Sequence, residues 1–313
     1  MEYRRLGKSE LNVSVIGLGT WAIGGKFWGH TDEAAAIAAI QKAIDCGINL
    51  IDTAPIYGEG HSEEIIGKAV KGRRHQVIIA TKCGARFKGP DLVNDLTPKF
   101  IRKEVEVSLK LLGTDVIDLY QCHFPDPNTP IEETMAEMAK MKAEGKIRAI
   151  GVSNFDAALL TKAQKVAQIA SNQVGYSMLN RGIENELIPF CLEQDIGILA
   201  YGPMGGGILT GKYKQKPKFE GGDARTWFYN FYEEPLWSKV QALLKELEKI
   251  AARHGKPVSH VAVNWVRQQP GIASALVGAR NPQQAEANAA AGDWQLSAEE
   301  LSGIEKTVSQ TLG

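Results

Sequence analysis

Eight short apolar, β-branched runs recur along the chain, separated by stretches whose apolar residues repeat at helical spacing. The runs are VSVIGLG (13–19), INLID (48–52), QVIIATK (76–82), DVIDLYQCH (115–123), IRAIGVSN (147–154), ASNQ (170–173), IGILAYG (196–202) and IASALVGAR (272–280). The helical stretches cover 32–46, 62–71, 98–112, 130–144, 156–168, 183–194, 238–254 and 282–291. Strand followed by helix, repeated, implies parallel pairing with right-handed crossovers. Eight such units in 313 residues predict a closed α/β barrel, (β/α)8 or TIM type, rather than an open doubly wound sheet.

Three pieces fall outside the repeat. Residues 3–13 predict a short N-terminal hairpin closing the barrel bottom. Residues 256–269 predict an extra helix before the last strand, and 297–311 a tail helix packed across the outside. The segment 212–236 reads as a long mobile loop. No linker or low-complexity stretch divides the chain, so residues 1–313 are expected to form one domain. Asp32 and Ser62 are candidate helix caps, and Thr97 precedes Pro98 as a cap before a first-turn proline. Gly47, Gly113, Gly145 and Gly197 mark expected helix ends.

Composition narrows the partners. Lys+Arg and Asp+Glu both number 36, so no net field draws in nucleic acid or an anionic membrane. A small molecule is the expected ligand. Cys46, Cys83, Cys122 and Cys191 form no C-x-x-C pair and no zinc-ligand spacing, which fits a reducing, cytoplasmic setting without a metal site. The polar start MEYRRLGKSE does not read as a secretory signal. No stretch approaches the roughly 20 apolar residues of a membrane helix. A neutral surface without a repeat interface suggests a monomer or weak dimer.

Barrel active sites gather at the carboxyl ends of the strands. Asp52, Lys82 and His123 end the second, third and fourth strands; Ser153 and Asn154 end the fifth, Gln173 the sixth, Tyr201 the seventh and Arg280 the eighth. Singly, each has an ordinary reading: Asp52 as a turn residue, Lys82 as a solvated strand end, His123 as a structural histidine, and Tyr57 as a half-buried aromatic. Jointly, Asp52, Tyr57, Lys82 and His123 on consecutive units make a proton-donor system. A free tyrosine has a pKa of roughly 10. An adjacent ammonium would lower it, and Asp52 would supply the counter-charge that lets Lys82 be buried. His123 could orient the oxygen that receives the proton. No side chain supplies a hydride or a nucleophile, so a cofactor is implied.

These residues carry a family likeness. The stretches LGKSELNVSVIGLGTWAIGG (6–25), GINLIDTAPIYGEGHSEEIIGKAV (47–70), VIIATK (77–82), IDLYQCHFPDPNTPIEET (117–134), GKIRAIGVSNF (145–155), YGPMGGGILTGKY (201–213) and LVGARNPQQAEAN (276–288) occur in order. Along essentially its whole length the chain resembles an aldo-keto reductase, and most of all the bacterial NADPH-dependent branch.

The resemblance implies reduction of aldehydes and ketones, with hydride from C4 of the nicotinamide and the proton from Tyr57. It implies a catalytic tetrad of Asp52, Tyr57, Lys82 and His123. Ser153, Asn154 and Gln173 would hold the carboxamide, Tyr201 would stack on the ring, and Thr20 and Trp21 would lie beside cofactor and substrate. Gly202, Pro203, Met204, Gly205, Gly207 and Lys212 would wrap the pyrophosphate, with Arg225 as a second clamp. Gly278, Ala279, Arg280, Gln284 and Asn288 would hold the adenosine end.

No strand-turn-helix G-x-G-x-x-G fingerprint is present, so a Rossmann site is not supported. The run Gly205–Gly206–Gly207 can instead bring backbone close to a phosphate, or simply loosen a loop. The Arg280 guanidinium suits the 2′-phosphate of NADP(H). Many members of the family have an arginine where this chain has Gln284, which leaves room for some NAD(H) use.

Trp21, Trp28, Phe87, Phe124 and Trp227 are candidates for an apolar substrate wall, or for ordinary packing. WFYNFY (227–232) could form a lid over it. Cys83 and Cys122, flanking Lys82 and His123, read as inert packed thiols more readily than as reactive ones. Two other functions compete: a cofactor-sensing regulatory subunit with little turnover, and a barrel hydrolase or metalloenzyme. The last finds neither a metal-ligand cluster nor an activated nucleophile in the sequence.

Overall fold

The computed structural model describes every residue except Lys26, His30, Pro90 and Gly313. Twelve strands are formed among the described residues: β1 (Tyr3–Arg5), β2 (Asn12–Ser14), β3 (Ile16–Gly19), β4 (Leu50–Asp52), β5 (Ile78–Cys83), β6 (Ala85–Lys88), β7 (Asp91–Asn94), β8 (Ile117–Cys122), β9 (Ile147–Ser153), β10 (Ile169–Gly175), β11 (Gly197–Tyr201) and β12 (Ile272–Gly278). The α-helices are α1 (Glu33–Asp45), α2 (His61–Ala69), α3 (Pro98–Leu112), α4 (Ile131–Ala143), α5 (Ala157–Gln164), α6 (Leu187–Gln194), α7 (Leu236–His254), α8 (Val258–Arg267), α9 (Pro282–Ala289) and α10 (Ala298–Leu312).

Eight strands close into a parallel barrel in the order β3-β4-β5-β8-β9-β10-β11-β12. Helices cover its outside because each presents an apolar stripe: in α1, Ala36, Ala39, Ile40, Ala43 and Ile44 are buried at the spacing of one helix face. The antiparallel hairpin β1–β2 plugs the bottom, with Leu6, Leu11 and Val13 joining Leu50, Leu119 and Leu199 in one core cluster. The two extra helices are α8 and α10. No helix of the described residues is long and apolar enough to cross a membrane.

Several expectations shift. The first run divides at Val15, so 12–14 belongs to the hairpin and 16–19 to the barrel. Asp32 caps α1 by accepting from the Ala35 amide at 2.7 Å. Ser62 does not cap α2: Gly60, in the left-handed region at φ 98°, takes that place, and Ser62 is drawn into the core by other hydroxyls. Thr97 makes no capping bond because its hydroxyl donates to Asp95 at 2.7 Å. Gly197 opens β11 rather than ending a helix; Asp195 in the left-handed region ends α6, and a Cβ on Gly197 would meet Leu6 at 2.7 Å.

Helix α6 starts four residues later than expected, since the Glu184 carboxylate is taken by Arg181 and Tyr176 in the preceding turns. The hairpin β6–β7, unanticipated, extends from the top of β5. The segment 212–236 is irregular apart from short 3-10 turns. It is tied down by the Ala224 amide donating to the Phe27 carbonyl at 2.8 Å and by Tyr232 Oη donating to the Gly206 carbonyl at 3.0 Å.

Candidate active site

The apolar strand β4 ends in Asp52, whose neighbours explain why a carboxylate can be buried there. Lys82, at the top of β5, is fully buried and its Nζ reaches three oxygens: Asp52 Oδ1 at 2.7 Å, the Thr53 carbonyl at 2.9 Å and Tyr57 Oη at 3.3 Å. That uses the three donors an ammonium has. The other Asp52 oxygen, Oδ2, accepts from Gln173 Nε2 at 2.7 Å and from Gln121 Nε2 at 3.3 Å. Below, Thr20 Oγ1 donates to the Asp52 carbonyl at 2.9 Å, Ser62 Oγ to Thr20 Oγ1 at 2.8 Å, and Thr53 Oγ1 to Ser62 Oγ at 3.0 Å. This hydroxyl chain fixes the backbone of Asp52 and ties the strand end to α2.

Tyr57 is presented by a tight turn. A Cβ on Gly24 would lie 2.6 Å from the Tyr57 carbonyl carbon, and Gly58 sits at φ 65° with its own Cβ position 2.3 Å from the Gly24 carbonyl oxygen. Only glycine pairs this closely, so two loops lock together and the phenol faces inward. The His123 ring, at the top of β8, stands edge-on to Tyr57 with centroids 5.9 Å apart, and its amide donates to the Cys83 carbonyl at 2.9 Å.

The electrostatics correct one expectation. Lys82 does not bring the Tyr57 phenol below its ordinary value. Burial pushes it well above, and the Asp52 carboxylate adds to that. The ammonium is shared with Asp52 and Thr53, so little of it is left to stabilise a phenolate. Burial lowers the Lys82 ammonium, opposed by Asp52, and holds the His123 imidazole well below its usual range, with Lys82 adding to it. The cluster thus holds a protonated phenol beside a neutral imidazole at neutral pH.

Around this centre, Ser153 Oγ donates to the Gln173 carbonyl at 2.8 Å. Asn154, at φ 61°, donates from Nδ2 to Ser153 Oγ at 3.0 Å and to the His123 carbonyl at 3.1 Å, while its Oδ1 accepts from Tyr201 Oη at 3.0 Å. Past Tyr201, Gly202, Gly205, Gly206 and Gly207 all have positive φ, with Pro203 buried and Met204 half-buried between them. A Cβ on Gly207 would meet nothing closer than Tyr232 Oη at 4.0 Å, so the backbone there is open to a ligand. Lys212 follows, exposed, with Nζ 4.7 Å from the Tyr213 ring centre.

At the far end, Gly278 ends β12, Ala279 is buried and Arg280 is exposed ahead of α9. Gln284 Oε1 accepts from the Arg280 amide at 2.9 Å, Asn288 Nδ2 donates to the Gly278 carbonyl at 3.0 Å, and Arg280 Nη1 donates to the Trp28 carbonyl at 3.0 Å. Arg225, the expected second clamp, is paired with a neighbouring carboxylate. Asp223 grips it through Nε at 2.8 Å and Nη2 at 2.5 Å, and its guanidinium lies 4.2 Å from the Phe219 ring centre.

Most of the five candidate aromatics lie in one group of rings. Trp21 stacks over Tyr57 at 6.2 Å and meets Trp28 at 5.3 Å and Trp227 at 6.4 Å. Phe124 stacks on His123 at 4.6 Å. Phe87 stands further out, reaching the group through Phe27 at 5.7 Å. Sequence reasoning missed Phe27 and Gln121, and placed Phe228 only within the 227–232 lid candidate. Phe228 touches both Trp21 and Tyr201. Gln121 lies two residues before His123, and its strand position, facing the barrel interior, was the available signal.

The donor set suits a nicotinamide dinucleotide: amides and a tyrosine face at one end, a glycine turn with open backbone midway, and a guanidinium at a helix start beyond. A sequence profile of the Aldo/keto reductase family matches residues 15–309. The chain is 44% identical to the aldo-keto reductase YhdN of Bacillus subtilis, covering 100% of this chain and 96% of that one. It is 40% identical to an NADH-specific methylglyoxal reductase of Escherichia coli, over 93% and 94% of the two chains. The solved glycerol dehydrogenase of Gluconobacter oxydans superimposes with a TM-score of 0.92 at 38% identity, over 99% of this chain and 96% of that one. A profile match over residues 15–309, relatives aligned over nearly the whole of both chains and a barrel rim built to this pattern together place the chain in the aldo/keto reductase family.

Proposed function

We propose that the chain reduces aldehydes and ketones to alcohols, preferring NADPH, with Tyr57 as the proton donor. The observation that carries this reading is the contact of Lys82 Nζ with Tyr57 Oη at 3.3 Å, backed by Asp52 at the mouth of the barrel. The reduced nicotinamide supplies the hydride. As negative charge grows on the substrate oxygen, Tyr57 gives up its proton toward it, and Lys82, bonded to Tyr57 Oη and held by Asp52, keeps the phenol aimed at that oxygen. Neutral His123 donates one N–H to the same oxygen and sets its direction. Trp21 and Phe124, stacked beside Tyr57 and His123, exclude water from the reacting face.

Gln173, Ser153 and Asn154 hold the carboxamide, and Tyr201 supports the ring. Arg280 supplies the positive charge suited to a 2′-phosphate. Against a strict choice stand Gln284, an amide whose oxygen is already bonded to the Arg280 backbone, and the NADH specificity of the E. coli relative. Rates with NADPH and NADH across a panel of aryl aldehydes and small dicarbonyls test the proposal. Binding of both nucleotides with no turnover on any carbonyl would point to a sensing subunit instead. Arg280→Ala should weaken NADPH binding by about tenfold or more while changing NADH by less than about twofold. Equal losses would remove Arg280 from the choice of cofactor.

A further inference from the structure

Gln121 is fully buried inside the barrel. It comes from β8, while Asp52 comes from β4 and Gln173 from β10, so the three belong to every second strand of the barrel. Such strands contribute side chains to a shared interior layer. The hydrogen bonds in this layer form a closed set. Gln121 Nε2 donates to Asp52 Oδ2 at 3.3 Å, Gln173 Nε2 donates to the same oxygen at 2.7 Å, and Gln173 Nε2 also donates to Gln121 Oε1 at 3.4 Å.

The chemistry fixes the directions. An ionised carboxylate only accepts, so both amides must turn their nitrogens toward Asp52. The Gln173 NH2 group has two hydrogens. One is taken by Asp52 and the other by Gln121 Oε1. What Gln173 has left for the pocket is therefore its carbonyl oxygen, a pure acceptor. Without Gln121, the second Gln173 hydrogen would lose its partner, and the single bond to Asp52 would leave the amide plane free to swing about it.

We infer that Gln121 is a positioning residue that locks the Gln173 amide so its oxygen alone faces the nicotinamide carboxamide, selecting the rotamer in which the carboxamide NH2 points at the barrel wall. This rests on the reading of the site as a nicotinamide site. Gln121 touches neither substrate nor cofactor in this scheme and acts through Gln173.

The test is a double-mutant cycle read by binding rather than by turnover. Gln121→Met keeps length and volume and removes both amide ends; Gln121→Leu is a second neutral variant should the first fold poorly. Dissociation constants are measured by calorimetry or fluorescence for NADP+ and NAD+, and for their nicotinamide-free counterparts 2′-phospho-ADP-ribose and ADP-ribose. Loss of one oriented hydrogen bond predicts dinucleotides bound about tenfold more weakly, with the nicotinamide-free ligands within about twofold of wild type. In a Gln173→Ala background the same Gln121 substitution should add almost nothing, because its route to the ligand is gone. Unchanged dinucleotide affinity, equal loss for whole and truncated ligands, or a full additive loss in the Gln173→Ala background would each overturn the inference. Wild-type protein that binds neither dinucleotide would overturn the nicotinamide reading, and this inference with it.

Discussion

Two buried aspartates, at opposite ends of the barrel, make an instructive pair. Asp118, on β8, is almost fully buried and is bonded by Arg74 at 2.6 Å, Arg148 at 2.8 Å and the Ile79 amide at 2.9 Å. It lines a cavity of about 510 Å3 with Arg74, His75 and Arg148. Asp52, at the other end, is equally buried and also has a close cation. Burial and an ion pair are thus common to both. The difference lies in what the cation does with its remaining donors. Around Asp118, Arg74 gives its other donors to Thr114 Oγ1 and the Val77 and Val116 carbonyls, and Arg148 is half exposed, so none reaches a group that gives up a proton. Beneath Asp52 the ammonium is sealed, and its last donor meets a phenol. A paired buried carboxylate at the amino ends of the strands serves the fold. The same pair at the carboxyl ends, touching a group that can give up a proton, fits chemistry.

The contrast can be broken most sharply at Tyr57. Tyr57→Phe removes the proton and keeps the ring against Trp21, so the rate of carbonyl reduction should fall by about 100-fold to 10,000-fold. Cofactor affinity should stay within about twofold. Steady-state rates with a binding titration check this, and near-normal turnover would take the proton donor away from Tyr57.

Removing the cation at each end comes next. Lys82→Met strands the buried Asp52 carboxylate and should cost about 3–5 kcal/mol of stability together with most turnover. Arg74→Met leaves Asp118 still paired with Arg148, so the loss should be about 1–3 kcal/mol with kcat nearly unchanged. Denaturant unfolding and kinetics on the same samples would show whether the two ends separate as expected; loss of turnover in the Arg74 variant would erase the distinction.

The smallest effect is one of pH. Because burial holds the Tyr57 phenol well above its ordinary value, its proton-bearing form is the one present at and below pH 9, and it is lost only as the pH rises past that raised value. The reduction rate at saturating substrate should therefore stay level from about pH 7 to about pH 9. A fall through that window, tracking a phenol that ionises early, would mean that Lys82 lowers Tyr57 after all.

Much of this was legible in the chain itself. The period of apolar residues gave the eight strand–helix units, and the polar residue ending each strand marked the rim, because strand direction decides which end carries the loops. Asp52, Lys82 and His123 could be assigned to that rim from their place after apolar runs, and Tyr57 from the turn that follows. The hairpin β6–β7 escaped notice since its alternation is short and mostly exposed. Ser62 was misread as a cap because a serine ahead of two glutamates has that look, whereas the pull of Thr20, distant in sequence, could not be seen.

Sequence alone, then, determined the architecture and which residue types stand at the top of which strand, since both follow from periodicities of two and 3.6 that are local to the chain. Only the tertiary structure decided the partners. Asp52 and Gln173 are 121 residues apart and meet at 2.7 Å, and Gln121 joined the same carboxylate layer from a third strand. Hydrogen bonds of this kind depend on closure of the barrel, which brings distant strands to one layer, and no local pattern encodes that distance.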